Sequence, residues 1–321
     1  MSKQFFKYLL TSLIIFTSIL SLNSCNSAED ANVKHIRVGM NTWPGYEPFM
    51  LAKENNYLAN SVHISRLDSA TDVIKSFKSE IIDIACVTLD EALIYQDISG
   101  EDIKIITIMD FSTGGDVVIA TKDIKTMKDL KGKVVGVESS ALGSFMITRA
   151  VDKTDGLNIN DINIINISYE HHEKEFINKN VDAVVTFEPV KTKLLKSGAH
   201  IIFDSTQIPG EIIDVMIVKT KTLKAKKQEI QALVDAWYKS VKYISTNTKD
   251  SMQKMADYEQ INITEFIVAF DGIDVPSKEH NQIFFKLKLN TAIELMQRTL
   301  MKKHFIQNKT KPSSLYSDEF L

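Results

Sequence analysis

Strand-type and helix-type segments alternate along most of this 321-residue chain. That alternation predicts an α/β fold with mainly parallel sheets. Three observations carry the prediction. Short β-branched runs such as Val62-His63-Ile64-Ser65-Arg66-Leu67 and Val134-Val135-Gly136-Val137 recur, with helix-patterned segments between them. Residues with capping chemistry, Ser69 and Thr71 among them, precede the helical stretches. Hydrophobic residues make up 44% and charged residues 25% of the chain, as in a soluble globular protein.

In chain order, His35 to Met40 reads as a strand and Glu47 to Asn55 as a helix with Phe49, Met50 and Leu51 on its apolar side. Val62 to Leu67 alternates as a strand does. Ser69 to Lys78 is a helix, Ile81 to Val87 a buried strand, Asp90 to Tyr95 a helix and Ile103 to Met109 a strand. A second unit follows Gly114-Gly115. It holds strands at 117–120, 134–137, 162–167, 181–186 and 201–203, with a helix over 142–151. Val215 to Val218 is a further strand. Beyond it, Ile230, Leu233, Val234, Trp237, Val241 and Ile244 share one face of a long amphipathic helix, and Ile283 to Phe305 carries a similar stripe.

The first residues have a different character. Lys3 and Lys7 precede an apolar run that ends in Leu22-Asn23-Ser24-Cys25. This is the pattern of a secretory signal, short for a membrane span. The cysteine after a small residue resembles a bacterial lipobox, which implies cleavage before Cys25 and acylation of its thiol. Residues 1–24 are then signal peptide and 25–33 a lipid-anchored tether. Loss of the signal leaves 36 of the 38 basic residues against 41 acidic ones. A mildly acidic chain without a basic stripe does not suit nucleic acid. Cys86 would be the remaining thiol, unable to form an internal disulfide, and its apolar run marks it as a core residue.

The loop Asn41-Thr42-Trp43-Pro44-Gly45-Tyr46-Glu47-Pro48 lies between a strand end and a helix start. Ligands of open α/β sheets sit at the carboxyl ends of strands. A stiff loop presenting Trp43 and Tyr46 there offers a stacking surface for a flat or cationic group. Trp43-Pro44-Gly45-Tyr46 with Leu51-Ala52, Cys86 to Leu93, Asp129 to Val137, Val181 to Val184 with Phe187-Glu188-Pro189, and Phe203 to Gly210 follow one another in order. By these segments, which span most of the mature chain, the protein resembles ABC-transporter substrate-binding proteins of the nitrate/sulfonate/taurine and thiamine-precursor group. The resemblance implies a two-lobed type 2 periplasmic-binding-protein fold with two crossover strands. Lobe 1 would comprise residues 34–113 and 215–321, and lobe 2 residues 114–214. It also implies permease and ATPase partners, an extracytoplasmic place in the cell envelope and a monomer without cofactor or metal.

Loops facing such a cleft carry Glu47, Asp90, Glu91, Asp110, Asp116, Glu138, Glu188 and Asp214, while the chain has only four arginines. A nitrate or plain sulfonate would want fixed positive charge. Acids beside aromatics favour an amine, a pyrimidine or another nitrogen base. The Glu138-Ser139-Ser140 turn before a helix start could hold an anionic group, which keeps an amino-sulfonate open. The expected ligand-binding residues are Asn41, Trp43, Tyr46, Thr88, Asp90, Asp110, Ser139, Ser140, Glu188 and Asp214. His171-His172, without a spaced partner, reads as solvated loop rather than metal site. No Gly-x-Ser-x-Gly, zinc-spaced histidine pair or phosphate loop supports an enzyme. A sensory lipoprotein partnered with a membrane signalling protein would share the same fold.

Overall fold

The computed structural model describes residues 34–139 and 142–321. The expected signal peptide, Cys25, the expected tether to residue 33 and Ser140 lie outside the described residues. Residues from Ile36 onward form one compact unit with two sheets.

The first sheet is built from β1 (Ile36–Met40), β2 (Val62–Arg66), β3 (Ile84–Thr88), β4 (Ile103–Ser112), β10 (Ile213–Lys219) and the short β11 (Ile273–Asp274). Their spatial order is β11-β4-β10-β3-β1-β2. The second holds β5 (Val117–Ala120), β6 (Val134–Val137), β7 (Asn163–Asn166), β8 (Ala183–Thr186) and β9 (His200–Asp204), in the order β7-β6-β8-β5-β9.

Both sheets are mixed rather than mainly parallel in their pairing. β1 runs parallel to β2 and β3, but β10 runs antiparallel between β3 and β4. In the second sheet β6 is parallel to β7 and β8, and β5 is antiparallel between β8 and β9. The cause is the crossover. β10 and β5 are each the first strand a sheet receives from the other lobe. They do not arrive through a strand-helix-strand unit, so the rule that makes such strands parallel does not bind them.

Helices cover the sheets: α1 (Pro48–Glu54), α2 (Ala70–Lys78), α3 (Leu89–Ser99), α4 (Leu142–Asp152), α5 (His172–Ile177), α6 (Val190–Lys196), α7 (Thr220–Ala225), α8 (Lys227–Thr246), α9 (Thr248–Glu259), α10 (Ile263–Asp271), α11 (Lys278–Leu287) and α12 (Leu289–Lys302). Ser69 caps α2, its hydroxyl accepting the Asp72 N–H at 3.1 Å, while Thr71 lies inside the first turn. Gly100 ends α3 with φ 67°, the left-handed conformation glycine adopts at little cost. Trp237 on α8 packs its buried ring against Phe49 of α1 at 4.8 Å between centroids. Cys86 is buried in β3. The stripe from Ile283 to Phe305 is not one helix: it breaks at Lys288 between α11 and α12. Among the described residues no helix is long and apolar enough to cross a membrane.

Candidate functional site

The carboxyl end of β1 feeds the aromatic loop. Trp43 is extended, Pro44 opens a 3-10 turn over Pro44–Tyr46, and Pro48 begins α1. Proline suits both starts because its missing N–H would have no partner there and its φ is already near the helical value. The loop is packed inward, leaving Trp43 4% and Tyr46 2% exposed. Trp43 Nε1 donates to Asp110 Oδ2 at 3.1 Å. The Tyr46 hydroxyl donates to Asp214 Oδ1. Gly45 permits this approach, since a Cβ there would stand 2.1 Å from Asp110 Oδ2.

Strand register places the acids. Asp214 on β10 lies opposite Thr88 of β3 on one side and Asp110 of β4 on the other. The row Thr88–Asp214–Asp110 therefore crosses three strands beneath the loop. Two carboxylates this close in the interior cannot both hold charge cheaply. Burial raises both, Asp110 to about 7 and Asp214 well above the ordinary range; the Asp110 charge adds to the rise at Asp214, while a hydrogen bond from Asp214 tempers the rise at Asp110. Asp90 and Glu91 sit in the first turn of α3, where acids complement the helix N-terminus. Burial still lifts them, to about 6 and about 8 respectively.

The five-stranded lobe supplies the opposite wall. Phe187 follows β8, stacks on Tyr169 at 4.2 Å and meets Trp43 edge to face at 5.6 Å. His172, read from the sequence as solvated loop, is buried in the first turn of α5; only His171 is exposed. The paired histidines hid this because helical geometry turns adjacent side chains about 100° apart. The Nε2 of His172 faces the Ile167 carbonyl at 3.1 Å and so carries the proton; Nδ1 faces the Thr186 hydroxyl at 3.2 Å and accepts. Burial lowers this imidazole to about 4, leaving it neutral.

Between the walls lies a cavity lined by Asn41, Trp43, Tyr46, Thr88, Asp214, Phe187 and, among others, Glu91, Asp116, Glu138, Leu142, Gly143, His172 and Thr186. It encloses about 550 Å³ of non-atomic space with its mouth included. The walls are drawn close together, with the Trp43 and Phe187 rings meeting across it. Four of the lining side chains are acids and none is lysine or arginine. Asp116 is pushed up to about 7, chiefly by burial, despite Lys191 nearby.

Five of the ten expected residues, Asn41, Trp43, Tyr46, Thr88 and Asp214, line the cavity. Asp110 lies behind Trp43, and Asp90 is buried in α3. Glu188 is turned away: Oε2 accepts the Thr192 N–H at 3.1 Å, Oε1 the Thr192 hydroxyl at 3.0 Å, and Lys191 Nζ is 3.5 Å off. Phe187, its neighbour, is the residue that meets Trp43. Ser139 is exposed, with its N–H on Asn166 Oδ1 at 2.9 Å; Ser140 is outside the described residues. Glu47, also in a candidate loop, pairs with Arg66 away from the cavity. The sequence argument did not select Phe187, His172 or Thr186, nor promote Glu91, Asp116 and Glu138 above the other acids. The available signal was their position just after strand ends or at helix starts.

The model of the family described as "NMT1/THI5 like" matches residues 43–251. No curated protein matches the chain significantly. Among solved structures, the alkanesulfonate-binding protein SsuA from Xanthomonas axonopodis pv. citri, bound to MOPS, superposes with a TM-score of 0.72 at 13% identity, over 88% of this chain and 98% of that one. The periplasmic nitrate-binding protein NrtA from Synechocystis PCC 6803 gives 0.70 at 10% identity, over 90% and 87%. The desulfurization enzyme DSZB gives 0.67 at 16% identity, over 89% and 97%. Likeness at such identities is likeness of fold: two α/β lobes joined by two crossover segments.

Proposed function

Because the chain belongs to the NMT1/THI5-like family, we propose that it is the solute-capturing component of an ABC importer. The solute is a small nitrogen-containing molecule, an amine, a pyrimidine or an amino-sulfonate, held in the interlobe cleft. The observation that carries this reading is the cavity lining: four carboxyl side chains, the Trp43 and Phe187 rings, and no cationic side chain. A nitrogen base supplies the donors such a cavity lacks, and its flat face suits the aromatic rings. Sulfonate or nitrate alone would bring negative charge to acids already costly to ionise. Function as a binder rather than an enzyme fits a cavity whose acids lie among structural hydrogen bonds. The resemblance of Leu22-Asn23-Ser24-Cys25 to a lipobox supports an acylated, extracytoplasmic chain at the membrane surface, which we read as a monomer. Lobe 1, in this reading, is 34–113 with 215–321, and lobe 2 is 114–214. A sensory lipoprotein would use the same cleft. Gene neighbourhood discriminates the two: permease and ATPase genes alongside would favour transport, a lone signalling gene sensing.

A thermal-shift panel of amines, pyrimidines, amino-sulfonates and oxyanions tests the ligand class. A ligand at a hundred times its dissociation constant stabilises by about 2.7 kcal/mol, a readable shift. Stabilisation by nitrogen compounds, with nitrate and sulfate inert, is the expected result. Stabilisation by sulfate, with amines and pyrimidines inert, would overturn it.

A further inference from the structure

The start of α4 and the start of α2 face the cavity from opposite lobes; Leu142, Gly143 and Ala70 all line it. A helix N-terminus carries free N–H groups and partial positive charge, which makes it a natural seat for an anion. Here both seats are taken by the protein's own carboxylates, and each carboxylate comes from the other lobe. Glu91, on α3 of the six-stranded lobe, accepts the Leu142 N–H of α4 through Oε1 at 2.9 Å. Its second oxygen, Oε2, accepts the Thr88 N–H at 3.0 Å. Glu138 follows β6 of the five-stranded lobe. Its Oε1 accepts the Thr71 N–H of α2 at 2.9 Å and also the Thr71 hydroxyl. Both acids are nearly fully buried, 3% and 6% exposed. The exchange is reciprocal, so each bond exists only when the lobes meet.

A second observation points the same way. Asp116 also lines the cavity, is 3% exposed, and its Oδ2 has no hydrogen-bond partner in the protein. A solute entering here finds an unused acceptor and, at the helix starts, the Leu142 and Thr71 backbone donors already taken.

From this arrangement we infer that Glu91 and Glu138 form a reciprocal latch that both holds the lobes shut and excludes solutes bearing an anionic group. The inference rests on the proposed solute-binding role and narrows it: the ligand is a hydrogen-bond-donating nitrogen compound without sulfonate or carboxylate. Amino-sulfonates are then outside the specificity of the site. Removing either latch lowers the population of closed protein, and apparent affinity falls with that population.

The test uses the full chain and four variants, Glu91→Ala, Glu138→Ala, Glu91→Gln and Glu138→Gln. Calorimetric and thermal-shift probes are 4-aminopyrimidine, ethylamine, taurine and ethanesulfonate. Small-angle X-ray scattering without ligand reads the spread of the lobes. The parent protein is expected to bind a nitrogen probe and reject taurine and ethanesulfonate. Each alanine variant should bind that probe roughly ten- to a hundredfold more weakly, the effect of leaving the facing backbone N–H unpaired in the closed form. It should also show a larger radius of gyration and gain stabilisation by ethanesulfonate. Glu138→Gln keeps the one oxygen that takes both Thr71 bonds and should stay compact, whereas Glu91→Gln keeps the Leu142 bond only by giving up the Thr88 one and should open less than Glu91→Ala; both should discriminate less against ethanesulfonate. Alanine variants with parental radius, parental affinity and no response to ethanesulfonate would overturn the latch. Taurine binding as tight as ethylamine in the parent protein would overturn the exclusion of anions. If no nitrogen probe binds and ethanesulfonate does, the nitrogen-ligand reading itself fails. If nothing binds, a larger radius in the alanine variants supports the latch and a parental radius overturns it.

Discussion

Asp110 and Asp214 face each other across neighbouring strands in the interior, so near neutrality the folded chain still holds protons that the unfolded chain has already released. The sign follows from linkage. A carboxyl raised to about 7 on folding, as Asp110 and Asp116 are, contributes its full stability below the unfolded value near 4. That contribution is lost as pH rises through the folded value. His172, lowered to about 4, works oppositely: its contribution is complete above roughly 6.5 and lost as pH falls towards its folded value. Stability should therefore decline from mildly acidic to mildly alkaline pH. Asp110→Asn keeps an acceptor for Trp43 and removes one of these protons. The variant should melt higher than the parent at pH 8 and flatten the slope by up to about 1.4 kcal/mol per pH unit. Urea titrations at several pH values measure it, and an unchanged slope would show that Asp110 does not titrate in this range. The aromatic character of Trp43 was legible in its loop. Its bond to Asp110, 67 residues away, was not, because only strand register brings the two together.

At the scale of elements, the aromatic loop, β4 and the crossover behind it act as one packed piece. A Cβ on Gly45 would meet Asp110 Oδ2 at 2.1 Å and Trp43 Nε1 at 2.4 Å. A Cβ on Gly115, in the crossover, would meet the Trp43 ring at 2.5 Å. Gly45→Ala should break the Trp43–Asp110 bond and cost about 1–3 kcal/mol, the usual penalty of overpacking. Chemical denaturation followed by tryptophan fluorescence reads both the stability and the change at Trp43. A variant of parental stability and spectrum would mean the loop yields without strain. Periodicity made the long helix α8 legible, because its apolar stripe runs for several turns. It merged α11 and α12, since the stripe continues across the Lys288 break. It passed over α5 and α6, whose 6 and 7 residues are too few to establish a period.

For the whole molecule, the proposed role makes anchoring and closure set how the cleft meets its solute. Cys25→Ser should leave an unlipidated precursor, because the thiol is the acyl acceptor in the lipobox reading. Metabolic labelling with a fatty-acid analogue checks this, and labelling that survives the change would remove the anchor from the account. The amino-acid sequence by itself determined the α/β class and the family, since strand and helix periodicities and a few ordered motifs are local properties of the chain. It also bounded the arginine available to any cleft, since the chain carries only four. Only the tertiary structure decided which acids face the cavity. Glu188, beside Phe187, turns to Thr192 and Lys191, while Glu91 and Glu138 reach across to the opposite lobe. A carboxylate's direction is set by the backbone N–H groups it can reach. Those groups belong to helix starts 51 and 67 residues distant, brought within reach only when two sheets share the crossover strands.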